Sequence, residues 1–214
     1  FNRANEGPPP STSWTGPVQT TEAGLIVSSN ICKSSSTTGA GSAAWVGAFG
    51  PASESFSKIA QVALDAGNGQ GTFVRLVDVG LTTVDGYFFQ IALSATSVYN
   101  EYFYYRLDNN AYTQLGATVV SPTLGVGDQL GLEMIGSTLI VYTKVGAGAW
   151  TAIDAGRTDS TYTAAGRIGM RLDPPGSADT KVKADDFGGG SVGSLQPAMT
   201  AFTATGGMIG RQDI

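Results

Sequence analysis

Asp128-Gln129-Leu130-Gly131-Leu132-Glu133-Met134-Ile135-Gly136-Ser137-Thr138-Leu139-Ile140-Val141-Tyr142-Thr143-Lys144-Val145-Gly146-Ala147-Gly148-Ala149-Trp150-Thr151-Ala152-Ile153 is the most regularly patterned stretch of the chain. Successive side chains of an extended strand point to opposite faces. Leu130, Leu132 and Met134 therefore share one face, and Gln129, Gly131 and Glu133 share the other. Gly136-Ser137 turns the chain, Leu139 to Lys144 returns as a second strand, and Gly146-Ala147-Gly148 turns it again before Ala149 to Ile153. The stretch is a β-meander, and it carries no cluster of reactive side chains.

The same grammar runs outward in both directions. Short alternating segments recur about every ten residues between Gly, Asn, Asp, Ser and Pro, as in all-β sandwiches and barrels. Strands are expected near 24–29, 43–46, 56–64, 72–77, 87–93, 102–107, 113–119, 129–134, 139–144, 149–153, 167–172 and 181–187. No segment has helical periodicity. Asn68-Gly69, Asp85-Gly86 and Asn109-Asn110 are turn signals. Ile168, Met170 and Leu172 alternate with Arg167, Gly169 and Arg171, which gives that strand one core face and one exposed face. Tyr87-Phe88-Phe89 and Tyr102-Phe103-Tyr104-Tyr105 place aromatic groups on both faces of theirs. About a dozen such strands form two facing antiparallel sheets, and protection of the sheet edges favours a jelly roll.

Two segments break the pattern. Glu6-Gly7-Pro8-Pro9-Pro10-Ser11 is too rich in proline for a central strand and reads as an extended surface strap before Trp14. Gly188-Gly189-Gly190-Ser191 reads as a linker. The division expected is one sandwich over 1–190, then a Gly/Ser linker and an apolar C-terminal arm over 191–214. Met199, Phe202, Met208 and Ile209 make that arm too apolar for an ordinary disordered tail, and they are the candidate partner-binding residues.

Composition narrows the chemistry. The 214 residues include no histidine, so the commonest general base and metal ligand is missing. Cys32 is the only cysteine, which excludes an intrachain disulfide and leaves stability to the core. It lies in an apolar, strand-like run and reads as a buried inert thiol. Seventeen acidic and twelve scattered basic residues give a charge of −5, which argues against nucleic acid. No apolar run approaches the roughly 20 residues of a membrane-spanning helix, so no membrane is expected as partner. A charged fraction of 14% with 30 glycines suits a protein packed against neighbours or exposed outside a cell.

Phe1-Asn2-Arg3-Ala4-Asn5-Glu6-Gly7-Pro8 with Trp14, and Ala184-Asp185-Asp186-Phe187 near the other end, resemble the termini of concanavalin A-like (laminin-G-like) jelly-roll domains. The meander over 127–142, and Asp159-Ser160-Thr161-Tyr162 followed by Gly166-Arg167-Ile168-Gly169, are similar to the middle of the same family. The resemblance spans about 1–190 and implies that Phe1 and Phe187 close one layer of core, with Arg3 beside Asp185 or Asp186. Domains with this opening resemble those frequent in bacteriophage structural proteins. The implied function is a non-enzymatic virion component: a capsid decoration, head fibre or tail part, held by a major capsid or tail protein and oligomeric with its own copies. A fold does not fix function. The alternative is a carbohydrate-binding or lectin-like protein, secreted if not viral, with a cell-surface glycan as partner, and behind it a glycanase.

Glucanases of the family use two carboxylates on one face, which on a single strand requires spacing i, i+2 or i, i+4. Asp185 and Asp186 are adjacent, and Glu101, Asp108, Glu133 and Asp154 stand alone, so no catalytic residue is assigned. Asp65 with Asn68, Asp108 with Asn109, and Asp185 with Asp186 are too small as clusters to supply a calcium ion's six to eight oxygens. No metal or cofactor is expected. For glycan stacking the candidates are Tyr99, Tyr102, Tyr104, Tyr112 and Trp150, with Trp45 elsewhere, against the alternative that half of them fill the core.

Overall fold

The computed structural model describes residues 5–62, 66–94, 99–173 and 182–192. The described residues form strands without a helix: β1 (Trp14–Thr15), β2 (Ala23–Ser28), β3 (Ile31–Ser34), β4 (Gly41–Phe49), β5 (Ser53–Gln61), β6 (Gly69–Val77), β7 (Asp85–Leu93) and β8 (Tyr99–Asp108). They continue with β9 (Ala111–Gln114), β10 (Val119–Val120), β11 (Gln129–Ile135), β12 (Thr138–Lys144), β13 (Thr151–Ala152), β14 (Arg157–Thr158), β15 (Gly166–Leu172) and β16 (Lys183–Ser191). One sheet runs β3-β16-β5-β11-β12, with β13 and β14 on β12. The second runs β4-β15-β6-β7-β8, with β1 on β4 and both β9 and β10 on β8. β2 joins them, antiparallel to β3 at Leu25–Ser28 and parallel to β4 at Ala23 and Gly24.

The sheets face each other as a sandwich. Alternation commits Leu130, Leu132 and Met134 of the meander, Ile168, Met170 and Leu172 of β15, and Tyr87, Phe89 and Ile91 of β7 to the space between them. Polar side chains also bridge the gap: Ser55 Oγ donates to Phe73 O at 2.9 Å, and Thr72 Oγ1 donates to Ser55 O at 3.3 Å. Cys32 is fully buried, and burial pushes its thiol far above its ordinary range, which makes it inert. A second, smaller core lies on the outer side of the second sheet. There Val18 and the 78–84 loop cover Ala44, Phe73, Leu76 and Phe88, tied by Val18 N to Ser42 Oγ at 2.8 Å and Gly80 N to Val18 O at 2.9 Å.

Several expected boundaries move, each for a local reason. The run around Cys32 is two strands because Ser29 and Asn30, at φ +54° and +64°, form a tight hairpin turn. The strand expected over 113–119 is split, since Gly116 takes φ +76° and Arg157 holds the Leu115 and Ala117 carbonyls off the sheet at 3.0 and 2.9 Å. Gly188-Gly189-Gly190 is strand and not linker: it pairs with Phe56, Ser55 and Glu54. A Cβ at Gly188 would sit 2.5 Å from the Phe56 ring, so glycine here serves close approach and not flexibility. The Pro-rich opening is an extended strap, with Glu6 bridged to Val27. Phe187 packs on Trp14 at 4.9 Å, while Phe1 and Arg3 lie outside the described residues, as do Asp65 and the arm residues Met199, Phe202, Met208 and Ile209.

Arg75 closes one end of the sandwich. It sits in a bulge of β6 at φ +54°, is 2% exposed, and donates to Pro51 O at 2.6 Å, Gly136 O at 2.8 Å and Tyr162 O at 2.9 Å. Replacing it with methionine strips three loop carbonyls of their donor. Arg75→Met is expected to cost about 3 kcal/mol, lowering Tm by roughly 10 °C for a chain of this size. A thermal melt within 2 °C of wild type would show that water replaces the guanidinium without loss.

Candidate functional site

β8 decides which aromatic rings reach a ligand. Tyr99, Tyr102 and Tyr104 are 2%, 0% and 1% exposed, with their rings in the inter-sheet core. None offers a face to a sugar, and the stacking role expected of them does not hold. Their hydroxyls serve the fold: Tyr102 OH donates to Pro122 O at 2.6 Å, and Tyr104 OH to Asp154 Oδ1 at 2.7 Å. Asp154 therefore does not stand alone. Tyr104, Gly156 N and Arg157 hold its carboxyl below the usual range against the effect of burial. Trp150 is buried on Phe56, at 5.9 Å, beside Tyr142 and Ile140 on the outer side of the first sheet. Trp45 packs edge-on against Trp14.

The residues of opposite parity, Phe103 and Tyr105, point outward. Their rings are half-buried and nearly parallel, 6.1 Å apart at 12°, and Tyr105 stacks in turn on Phe88 at 6.0 Å. Of the expected stacking set, Tyr112 joins this face, its ring meeting Phe88 at 5.5 Å and Tyr105 at 5.6 Å. The hairpin explains why. Asn109-Asn110 makes a two-residue turn, which pairs Leu107 with Tyr112 and so puts Tyr112 on the side of Tyr105 and Leu107, not of Tyr104.

Beside the rings lies a charged cluster that the pairing register assembles. Ser42, Arg171, Gly71, Gln90 and Phe103 form one row across β4, β15, β6, β7 and β8. Gly69, Ala92 and Glu101 form the row beyond. A Cβ at Gly71 would lie 1.7 Å from Phe89 O, so this position stays bare between Arg171 and Gln90. Arg171 Nε donates to Glu22 Oε1 at 2.5 Å and Nη1 to Asp173 Oδ2 at 3.0 Å, and Ser42 Oγ donates to the other Glu22 oxygen. The guanidinium lies 5.9 Å from the Phe88 ring and 5.7 Å from the Tyr112 ring. The Tyr112 hydroxyl is buried, has no hydrogen-bond partner among the described residues, and lies within the field of Glu22, Arg171 and Asp173. Stacked rings next to convergent charged side chains can hold a ligand with one apolar face and several hydroxyls.

The first sheet carries a different feature, which reading strand by strand had missed. Glu54 on β5 and Glu133 on β11 are direct partners in the ladder, 5% and 1% exposed, on the outer face. Glu133 does not stand alone. Its partner comes from another strand, so no spacing along one segment revealed it. Tyr142 OH donates to Glu133 Oε1 at 3.4 Å. Among the described residues no three His, Cys, Asp or Glu side chains gather where they could hold a metal ion. Asp108 and Asn109 form a turn through Asn109 Nδ2 to Asp108 Oδ1 at 2.8 Å, and Asp186 is paired to Lys58 at 3.4 Å.

No family model matches the sequence, and no curated protein matches it. Solved structures do share its fold. The carbohydrate-binding module CBM66 from Bacillus subtilis is 15% identical at TM-score 0.59, over 84% of this chain and 96% of that one. A Bacillus subtilis protein of unknown function with a galectin-like fold is 13% identical at TM-score 0.58, over 85% and 92%. The exoplasmic/lumenal domain of VIP36, in a Ca2+/Man2-bound form, is 13% identical at TM-score 0.58, over 87% and 84%. The chain is a lectin-like jelly-roll β-sandwich.

The facing carboxylates generate a pH dependence. Burial, and then the Glu133 charge opposite, raises the Glu54 pKa from 4.5 to about 7. The folded state thus keeps a proton that the unfolded chain releases near its ordinary pKa. That stabilisation is complete below about pH 4.5 and is lost as pH rises through about 7. Between pH 5 and pH 8 the Tm is expected to fall, and Glu54→Gln is expected to remove most of the decline. Melts of the variant that keep the wild-type slope would place the titration on another group.

Proposed function

We propose that the chain is a glycan-binding module, with its ligand on the outer face of the second sheet. One observation carries this reading: the near-parallel, half-buried rings of Phe103 and Tyr105 share one face with Arg171, Glu22 and Asp173, and the Tyr112 ring links the two groups. A pyranose has the matching character, a flat C–H face for the rings and hydroxyls for the charged groups. The neighbouring folds support it, since two are by their descriptions a carbohydrate-binding module and a mannose-bound domain. Binding without catalysis is the form we propose, because on this face Glu22 and Asp173 are both paired to Arg171, while the carboxylates that face each other directly, Glu54 and Glu133, are buried in the other sheet. A virion role would use the same module, and no observation among the described residues favours it over a free one.

Phe103→Ala and Tyr105→Ala are each expected to weaken glycan binding by about tenfold or more, as loss of a stacking aromatic does, with the sandwich still folded. Trp150→Phe, on the opposite face, is expected to bind as wild type. Isothermal titration against the tightest ligand from a broad glycan panel decides this. Loss in Trp150→Phe with retention in both β8 variants would move the site to the first sheet.

A further inference from the structure

We infer that the glycan is a neutral one, and that acidic sugars are rejected, because the guanidinium on this face is already held between two carboxylates. The inference rests on the glycan-binding reading above. Among the described residues Arg171 is the cation of this cluster, and both Glu22 and Asp173 bind it, at 2.5 and 3.0 Å. Glu101 faces the same side, two residues from Phe103. Two carboxylates thus hold one guanidinium, and Glu101 adds a third negative charge to the same side of the sheet, three strands away on β8. Arg167 stands four residues back along β15, across from Leu76 and beyond Gly169. A uronate, sialate or sulfate placed against the rings would meet a guanidinium whose charge Glu22 and Asp173 already offset, and would face the negative charge left over.

A hydroxyl meets no such obstacle, and the cluster offers it both halves of a hydrogen-bonding pair. The Asp173 carboxylate, its side chain 26% exposed, accepts. Tyr112 OH, covered and without a hydrogen-bond partner among the described residues, is the donor a sugar hydroxyl reaches on displacing the side chains over it. A sugar hydroxyl can give its proton to the first and receive one from the second. A carboxylate or sulfate oxygen can only receive. The Tyr112 ring is fixed against Phe88 and Tyr105, so its hydroxyl is held in place before any ligand arrives. The site therefore selects by hydroxyl placement and excludes by charge.

The test uses the whole chain and defined probes. Mannan, β-glucan, galactan and levan form one arm; polygalacturonate, hyaluronan and sialyllactose form the other, each at low and high salt. Binding is expected in the neutral arm alone, with an affinity that barely changes with salt, since no ion pair forms. Tyr112→Phe is expected to weaken neutral binding by about tenfold, as loss of one hydrogen bond does, while Tm stays the same or rises because the lost hydroxyl had no partner among the described residues. Acidic probes that bind more tightly than neutral ones, and weaken with salt, would overturn the inference and leave glycan binding standing. A Tyr112→Phe protein that melts lower yet binds unchanged would make the hydroxyl structural and overturn its role. No binding in either arm would overturn the glycan reading itself, and this inference with it.

Discussion

The guanidinium of Arg75 is the point on which this sandwich closes. It belongs to β6 in the second sheet, yet the carbonyls it holds belong to the β4–β5 connection, the β11–β12 turn and the segment before β15. Two sheets held only by apolar packing could slide, because dispersion is not directional. Three charge-assisted hydrogen bonds from one planar group fix both sheets and a loop at a single point. The cost is a buried cation in left-handed backbone, which the three carbonyl acceptors offset.

With that end fixed, the strands of the second sheet have no freedom in what they show outside. β8 sends Tyr99, Tyr102 and Tyr104 inward, so Phe103 and Tyr105 must face out. β15 sends Ile168, Met170 and Leu172 inward, so Arg171 must face out. The candidate ligand face is therefore the complement of the core. Its charged part is assembled by register, which brings Arg171 of β15 beside Ser42 of β4 and Gly71 of β6, while Glu22 arrives from the segment entering β2. The first sheet obeys the same rule with another result: Glu54 and Glu133, both turned away from the core, become ladder neighbours, and burial with the Glu133 charge raises the Glu54 pKa.

Much of this was legible in the residues, and some of what was missed was legible too. The Asn109-Asn110 turn already implied that Tyr112 pairs with Leu107, hence that it cannot share a face with Tyr102 and Tyr104. That pairing is incompatible with one stacking surface built from all four tyrosines and agrees with the alternative that half of them or more fill the core. The glycines of 188–190 were ambiguous by composition, because a flexible linker and a strand pressed against an aromatic ring both call for residues without side chains. Glu54 could not be matched to Glu133 from sequence, since nearly eighty residues and several strands separate them.

The sequence by itself determined an all-β chain, the meander over Asp128 to Ile153, the absence of histidine chemistry and of disulfides, and a face of β15 that carries arginines. These are local consequences of a period of two, of turn residues and of composition, and they need no knowledge of neighbours. Only the tertiary structure decided which parity of the aromatic run is buried, which acids meet, and that Arg171 lies between Glu22 and Asp173. Those outcomes depend on which strand lies beside which and in what register, and pairing across long separations is set by how the two whole sheets pack.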